Sequence, residues 1–272
     1  MIKVGFIGAG DIAYLHGEGV QASSNAQLHG IWNRTRAKAE EKASLFDTRV
    51  FDTAEELIEA VDVVYVLTNM ETHHAYCMQA IEAGKHVLVE KPTAVTIEEI
   101  EEVKAFAHQK GVQVAPVHNY IYEAPVMRAK ELIESGKLGD LVSLHVLYNI
   151  HHPEEVAARY PGVIRQILTH HAYCTLYLVG QPELVSCMKA TVNDGSVPQE
   201  NLAMVTMKMR NQALSHLCAS FAADDHAGDP WTFMIKVIGT KGATRYSYRD
   251  WVENTPAVVH SQTYSAYPYT IR

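Results

Sequence analysis

The chain has 272 residues, 47% hydrophobic and 20% charged, with a formal net charge of −8. That length suits two modest domains with a core each, and the composition is that of a globular protein, which excludes a disordered chain. The negative balance, with no basic cluster to offset it, argues against nucleic-acid partners, and no apolar run approaches the roughly 20 residues of a membrane span.

Through residue 120, short apolar runs alternate with helical patterns. Strands are predicted at 2–7, 26–32, 48–51, 61–67, 86–89 and 112–117, and helices near 11–22, 36–46, 54–60, 72–83 and 97–110. Thr53 with Glu56 and Thr96 with Glu99 have the spacing of capping boxes, and Gly84 and Gly111 close two of the helices. Strand–helix alternation of this kind builds a parallel sheet with crossover helices. Six such strands fit one doubly wound dinucleotide-binding domain, residues 1–120. The pattern then changes. Helices are expected near 124–135 and 163–179, a long strand at 141–150, and further strands at 184–192, 201–209, 213–222, 231–238 and 243–248. The turns Asn193-Asp194-Gly195, Arg210-Asn211-Gln212 and Thr240-Lys241-Gly242 between them suit a largely antiparallel sheet. Residues 121–272 are therefore read as an α+β domain for substrate binding and oligomerisation. In 201–209, Leu202 and Met204 lie on one face and Val205 and Met207 on the other. One face is expected to pack on helices and the other on a partner subunit.

Three stretches carry chemistry. Gly8-x-Gly10-x-x-Ala13 follows a strand and opens a helix, the context in which such glycines cradle a diphosphate. Gly8 permits the tight turn, Gly10 lets phosphate approach the backbone, and Ala13 allows close helix–strand packing, with Asp11 and Ile12 at the helix start. At the end of the second strand, where an acid normally takes the ribose hydroxyls of NAD, stand Asn33, Arg34, Thr35 and Arg36. Arginine pairs with a 2′-phosphate, so NADP is favoured, with NAD not excluded. Glu90-Lys91-Pro92 ends the fifth strand on the edge where ligands bind; Lys91 is placed to hydrogen-bond a reacting oxygen, and Pro92 to hold a cis peptide.

With the string Ala83-Gly84-Lys85-His86-Val87-Leu88-Val89-Glu90-Lys91-Pro92 and the later Gly136-Lys137-Leu138-Gly139, the chain resembles the Gfo/Idh/MocA group of oxidoreductases along nearly its whole length. The resemblance implies a Rossmann domain followed by an open, mostly antiparallel sheet domain. It also implies a nicotinamide coenzyme, sugar, polyol or related hydroxy or keto substrates, and homodimers or homotetramers built through the C-terminal sheet. Thr68 and His73 match the family's Thr-Pro-Asn-x-x-His, whereas Asn69 and Met70 depart from it; the segment is expected to border the nicotinamide ribose. His118, Asn119 and Tyr120 match the strand end that borders substrate and nicotinamide, with Ile121 in place of the usual arginine. The family's Asp-x-Gly-x-His helix, counted back from Gly180, places its histidine at His170 and substitutes Gln166 and Leu168 for the aspartate and glycine. His170 is thus expected to move the proton, being favoured over His171, which points about 100° away on a helix. Arg165 and Gln166 join His118, Tyr120, Lys91 and His170 as candidates for substrate contacts, and His151, His152 and Arg159 as further lining. The family commonly continues into another helical segment, whereas this sequence stops at Arg272 after a tyrosine-rich stretch.

The same residues bear on other classes of protein. The fifteen histidines lack metal-ligand spacing, so no metal is expected. Four scattered cysteines read as reduced, mostly buried thiols, and the expected location is the cytoplasm. Gln166 keeps open a catalytically silent regulatory binder, and relatives that reduce and reoxidise bound NAD within each cycle keep open a glycosidase.

Overall fold

The computed structural model describes residues 1–192, 199–222, 232–247, 250–255 and 258–263, and the chain divides into two units, Met1–Val117 and His118–Arg272. In the first unit, chain order runs β1 (Ile2–Ile7), α1 (Ile12–Ala22), β2 (Ala26–Trp32), α2 (Arg36–Leu45), β3 (Arg49–Val50), α3 (Ala54–Ala60), β4 (Val63–Val66), α4 (His73–Glu82), β5 (His86–Val89), α5 (Ile97–Lys110) and β6 (Val114–Pro116). The six strands are parallel in the order β3-β2-β1-β4-β5-β6. Order reverses between β1 and β4, so the crevice used by ligands lies beyond the carboxyl ends of those strands. Helices cover both faces, which is why Phe6 and Ile7, adjacent on β1 and pointing opposite ways, are both fully buried.

Helix boundaries follow their caps. Thr96 accepts from Glu99 N–H while the Glu99 carboxylate accepts from Thr96 N–H, a complete capping box. At α3 only half of the expected box forms, with Thr53 Oγ1 accepting from Glu56 N–H at 3.1 Å. Gly84 and Gly111 end α4 and α5 at positive φ.

The second unit contains α6 (Ala124–Glu134), β7 (Leu141–Asn149), the single turn α7 (Glu154–Ala157), a π-helical turn (Ile164–Leu168), α8 (Thr169–Leu178), β8 (Pro182–Ala190), β9 (Leu202–Met209), β10 (Leu214–Ser220), β11 (Thr232–Gly239), β12 (Ala243–Ser247), β13 (Asp250–Thr255) and β14 (Val258–Thr263). The sheet order is β14-β13-β12-β11-β7-β10-β9-β8, and among the described residues only β7–β10 is a parallel pair. The chain is therefore α/β in its first unit with an open, mostly antiparallel sheet in its second. Leu144, Val146, Val205, Leu217, Ile235 and Val237 face inward and share one core with Val126, Leu132, Cys174 and Leu178 of the helices. The opposite face stays open, and register aligns Met188, Met204, Cys218, Leu147 and Met234 in one row across five strands.

Three features depart from expectation. The predicted helix 163–179 is π-helical at its start, where Thr169 Oγ1 donates to the Arg165 carbonyl at 2.8 Å. The hairpin β13–β14 was not expected, because Glu253 occupies an inward position and breaks the apolar alternation; Arg128 from α6 pairs with it at 3.0 and 3.2 Å. Cys187 is exposed on the edge strand β8, whereas Cys77, Cys174 and Cys218 are buried, and all four are free thiols. The Asn193-Asp194-Gly195 turn lies outside the described residues.

Candidate active site

The first unit supplies a glycine turn. Gly8 sits at φ 115°, and a Cβ there would lie 2.7 Å from the Leu67 carbonyl carbon and oxygen, so the turn presses against the end of β4 and requires glycine. A Cβ at Gly10 would meet nothing within 4 Å, which leaves its backbone approachable. Among the described residues, the amides of Gly10, Asp11 and Ile12 donate to no protein acceptor, and Asp11 caps α1 without a side-chain bond. Unpaired donors at a helix start are what a diphosphate satisfies, so these residues fit a dinucleotide. Ala13 is fully buried against the sheet.

The end of β2 differs in detail from its sequence reading. Asn33 Oδ1 accepts from Ala9 N–H at 3.1 Å and its Nδ2 donates to the Thr35 carbonyl at 2.9 Å, so its amide braces the glycine turn. Arg36 is bound to Glu40 and Asp52. Arg34 is exposed and forms no ion pair among the described residues, which leaves it as the cation at this edge.

At the end of β5, Glu90 is 7% exposed and uses both carboxylate oxygens. Oε1 lies 2.9 Å from His16 Nε2 on α1, and Oε2 accepts from Lys91 N–H at 3.0 Å. Sequence reading missed His16; its place on the helix after the glycine turn was the available signal. The Lys91–Pro92 peptide is cis. Desolvation lowers the Lys91 pKa, and the Glu90 carboxylate opposes that shift. His73, only 1% exposed, sets Nδ1 2.8 Å from the Pro92 carbonyl oxygen and Nε2 2.9 Å from that of Thr68. It thereby ties the end of β4 to the Lys91-Pro92 loop, while Thr72 Oγ1 donates to Thr68 Oγ1 at 2.8 Å. Asn69 precedes the short 3-10 turn Met70–Thr72 and accepts through its carbonyl from Thr72 N–H.

The second unit assembles a cluster of its own around a residue the sequence reading passed over. Tyr173 on α8 stacks on His118 at 4.3 Å between ring centroids. Its hydroxyl lies 2.6 Å from His170 Nδ1, donates to Asn119 Oδ1 at 3.1 Å and accepts from Tyr120 N–H at 3.2 Å. Tyr120 meets the His170 ring edge-on at 4.9 Å and stacks on Phe233 at 4.5 Å. The signal for Tyr173 was its place three residues beyond His170, on the same helix face. Burial lowers the His118 pKa, so that ring favours its neutral form.

The adjacent histidines separate. His170 is half-buried and bonded, whereas His171 is 1% exposed, its two ring nitrogens have no hydrogen-bond partner among the described residues, and burial pushes its pKa down to about 3. Gln166 is half-buried and Arg165 exposed, both on the π-helical turn one turn before His170. His152 instead packs on Phe221 and Tyr160. No group of three or more metal-ligating side chains occurs among the described residues, and no helix there is long and apolar enough to cross a membrane.

Comparison with known proteins gives the same domain pair. Residues 2–118 match the GFO_IDH_MocA profile, described as an oxidoreductase family with an NAD-binding Rossmann fold, and residues 126–245 match the GFO/IDH/MocA C-terminal domain. Glucose-6-phosphate 3-dehydrogenase of Bacillus subtilis is 26% identical over 90% of this chain and 74% of its own length. The scyllo-inositol 2-dehydrogenase (NADP(+)) IolW of the same organism is 33% identical over 68% of this chain, a match spanning only about half, 54%, of that protein. An Agrobacterium radiobacter oxidoreductase, solved with NAD+, L-tartaric acid and magnesium, shares the fold with a TM-score of 0.88 at 18% identity, covering 99% of this chain and 81% of that one.

Proposed function

Because the chain belongs to the Gfo/Idh/MocA family of oxidoreductases and carries its NAD(P)-binding domain, we propose that it transfers hydride between nicotinamide and a carbon of a sugar, polyol or related hydroxy or keto compound. The observation that carries this reading is Lys91: an ammonium desolvated at the carboxyl end of β5, its main chain held by a buried carboxylate. The 26% and 33% identical relatives, named for dehydrogenation of a sugar phosphate and an inositol, support the substrate class.

Bound nicotinamide supplies the two-electron acceptor or donor. The turn Gly8–Ala13 holds the diphosphate through its amides, braced by Asn33. Lys91 donates to the reacting oxygen and stabilises charge on it, while His170 exchanges that oxygen's proton. His118, Tyr120, Arg165 and Gln166 contact substrate hydroxyls, and Asn119, Thr68 and Asn69 border the coenzyme. Arg34 gives NADP preference over NAD. Two or four copies associate through the open sheet face, where Met188 and Leu184 are 78% and 63% exposed.

Gln166, where the family pattern has aspartate, favours one rival, a ligand-binding protein without turnover, because a glutamine exchanges no proton near neutral pH. The test is purified protein with NADP or NAD against a panel of sugars and polyols, following absorbance of the reduced nicotinamide. Turnover lost by about a hundredfold or more in both Lys91→Ala and His170→Ala supports the mechanism. Turnover unchanged in both removes it, and tight coenzyme binding without turnover on any panel member selects the rival.

A further inference from the structure

Glu90 stands immediately before Lys91, and its two carboxylate oxygens face different elements. Oε2 accepts the Lys91 main-chain N–H at 3.0 Å, at the end of β5 itself, whereas Oε1 lies 2.9 Å from His16 Nε2 on α1, 74 residues earlier in the chain. A carboxylate offers only lone pairs, so the imidazole donates through Nε2–H. The imidazole is held in its turn. It meets the Tyr65 ring edge-on at 5.6 Å between centroids and the Phe6 ring at 6.4 Å, and those two rings, paired in register on β4 and β1, stack on each other at 5.3 Å. Both side chains of the His16–Glu90 bond are largely buried, so water competes little for either partner. His16 lies four residues, about one turn, beyond Ile12, on the helix whose first amides fit a diphosphate. From the glycine turn to the lysine, the path runs through one helix, one imidazole and one carboxylate.

We propose that His16 is a positioning residue that orients Lys91 through the Glu90 carboxylate, so that the helix holding the coenzyme diphosphate also sets the main chain of the lysine that meets the reacting oxygen. The role in turnover rests on the dehydrogenase reading above; the linkage rests on the two hydrogen bonds. Burial works against the Lys91 ammonium and the Glu90 charge supports it, so a carboxylate fixed in place also favours the charged lysine. A histidine that only filled space here would need no donor nitrogen, and that difference can be measured.

His16→Ala removes ring and donor together. His16→Gln removes the ring but keeps a nitrogen donor the same number of bonds from the main chain. Glu90→Ala and the double substitution of both residues to alanine complete a cycle. All four are first shown to be folded by circular dichroism. The first readout is hydrogen exchange of the Lys91 amide in protein labelled with nitrogen-15 lysine, its signal identified by loss in Lys91→Arg; it needs no turnover. Exchange should be about tenfold or more faster in His16→Ala and in Glu90→Ala, close to the unsubstituted rate in His16→Gln, and no faster in the double substitution than in Glu90→Ala. The second readout is kinetic. His16→Ala should lower kcat about ten- to a hundredfold and His16→Gln should restore most of it, with little change in coenzyme KM because main-chain amides hold the diphosphate. Losses that add in the double substitution, or His16→Gln no better than His16→Ala, overturn the proposal. The expected exchange pattern in a protein that turns over no substrate upholds the linkage and refutes the dehydrogenase reading.

Discussion

His171 gives the second unit a pH-dependent stability whose size can be worked out. The ring is 1% exposed, neither nitrogen has a hydrogen-bond partner among the described residues, and burial lowers its pKa from 6.5 to about 3. The unfolded chain therefore binds a proton between those two values that the folded chain refuses. Stability is full above pH 6.5 and falls as pH drops toward about 3. Near pH 5 the difference between the unfolded and folded pKa contributes about 1.5 units at about 1.4 kcal/mol each, a loss of about 2 kcal/mol relative to pH 8. His171→Leu removes the titrating group at similar volume, and also removes two buried nitrogens without hydrogen bonds, each an unfavourable burial of about 1–3 kcal/mol. The variant should thus be at least as stable at pH 8 and should gain about 2 kcal/mol over the unsubstituted protein on moving to pH 5. Urea unfolding followed by far-ultraviolet circular dichroism at both pH values measures this. The other histidines whose pKa burial lowers, His29, His118, His145 and His152, titrate in both proteins and cancel in the difference. Parallel pH dependence in the two proteins would refute the reasoning.

Other perturbations test the first unit and the open sheet. Arg34→Ala should weaken NADP binding about ten- to a hundredfold and leave NAD binding nearly unchanged, measured by fluorescence titration of each coenzyme, since one charge-assisted bond contributes about 1.5–3 kcal/mol. Arg36→Ala should do much less, because Arg36 is already spent on Glu40 and Asp52. His16→Ala strips the Glu90 carboxylate of a partner and should destabilise the first unit by about 1–3 kcal/mol in thermal unfolding. Met188→Glu, on the open face, should shift light-scattering mass toward a single chain without lowering helix content.

Both sheets were largely legible because their strands are apolar in ways that period and turn residues announce. The β1–α1 glycine turn, the caps at Thr96 and Gly111, and the inward–outward split of Leu202 and Met204 from Val205 and Met207 all follow local rules. The hairpin β13–β14 was not legible, because the inward Glu253 reads as solvent-facing until Arg128 is brought to it from 125 residues away. The same limit applies to the candidate site. Lys91 and His170 stand in recognisable strings, but Tyr173 is an unremarkable helix residue until the fold sets the His118–Tyr120 segment against it. His16 acquires meaning only once α1 lies beside the end of β5. Sequence spacing reports neighbours along a helix or strand; it does not report which distant carbonyl, amide or carboxylate a side chain will meet.

The position of β7 in its sheet bears on how the protein emerges from the ribosome. Leu141–Asn149 is flanked by β10 and β11, both synthesised well after it, and Arg128 waits for a carboxylate near the far end of the chain. Met1–Val117, by contrast, closes its sheet with strands that follow one another promptly. Translation thus delivers one finished nucleotide-type fold while an orphan strand, apolar on its inner face, must be shielded until its neighbours arrive.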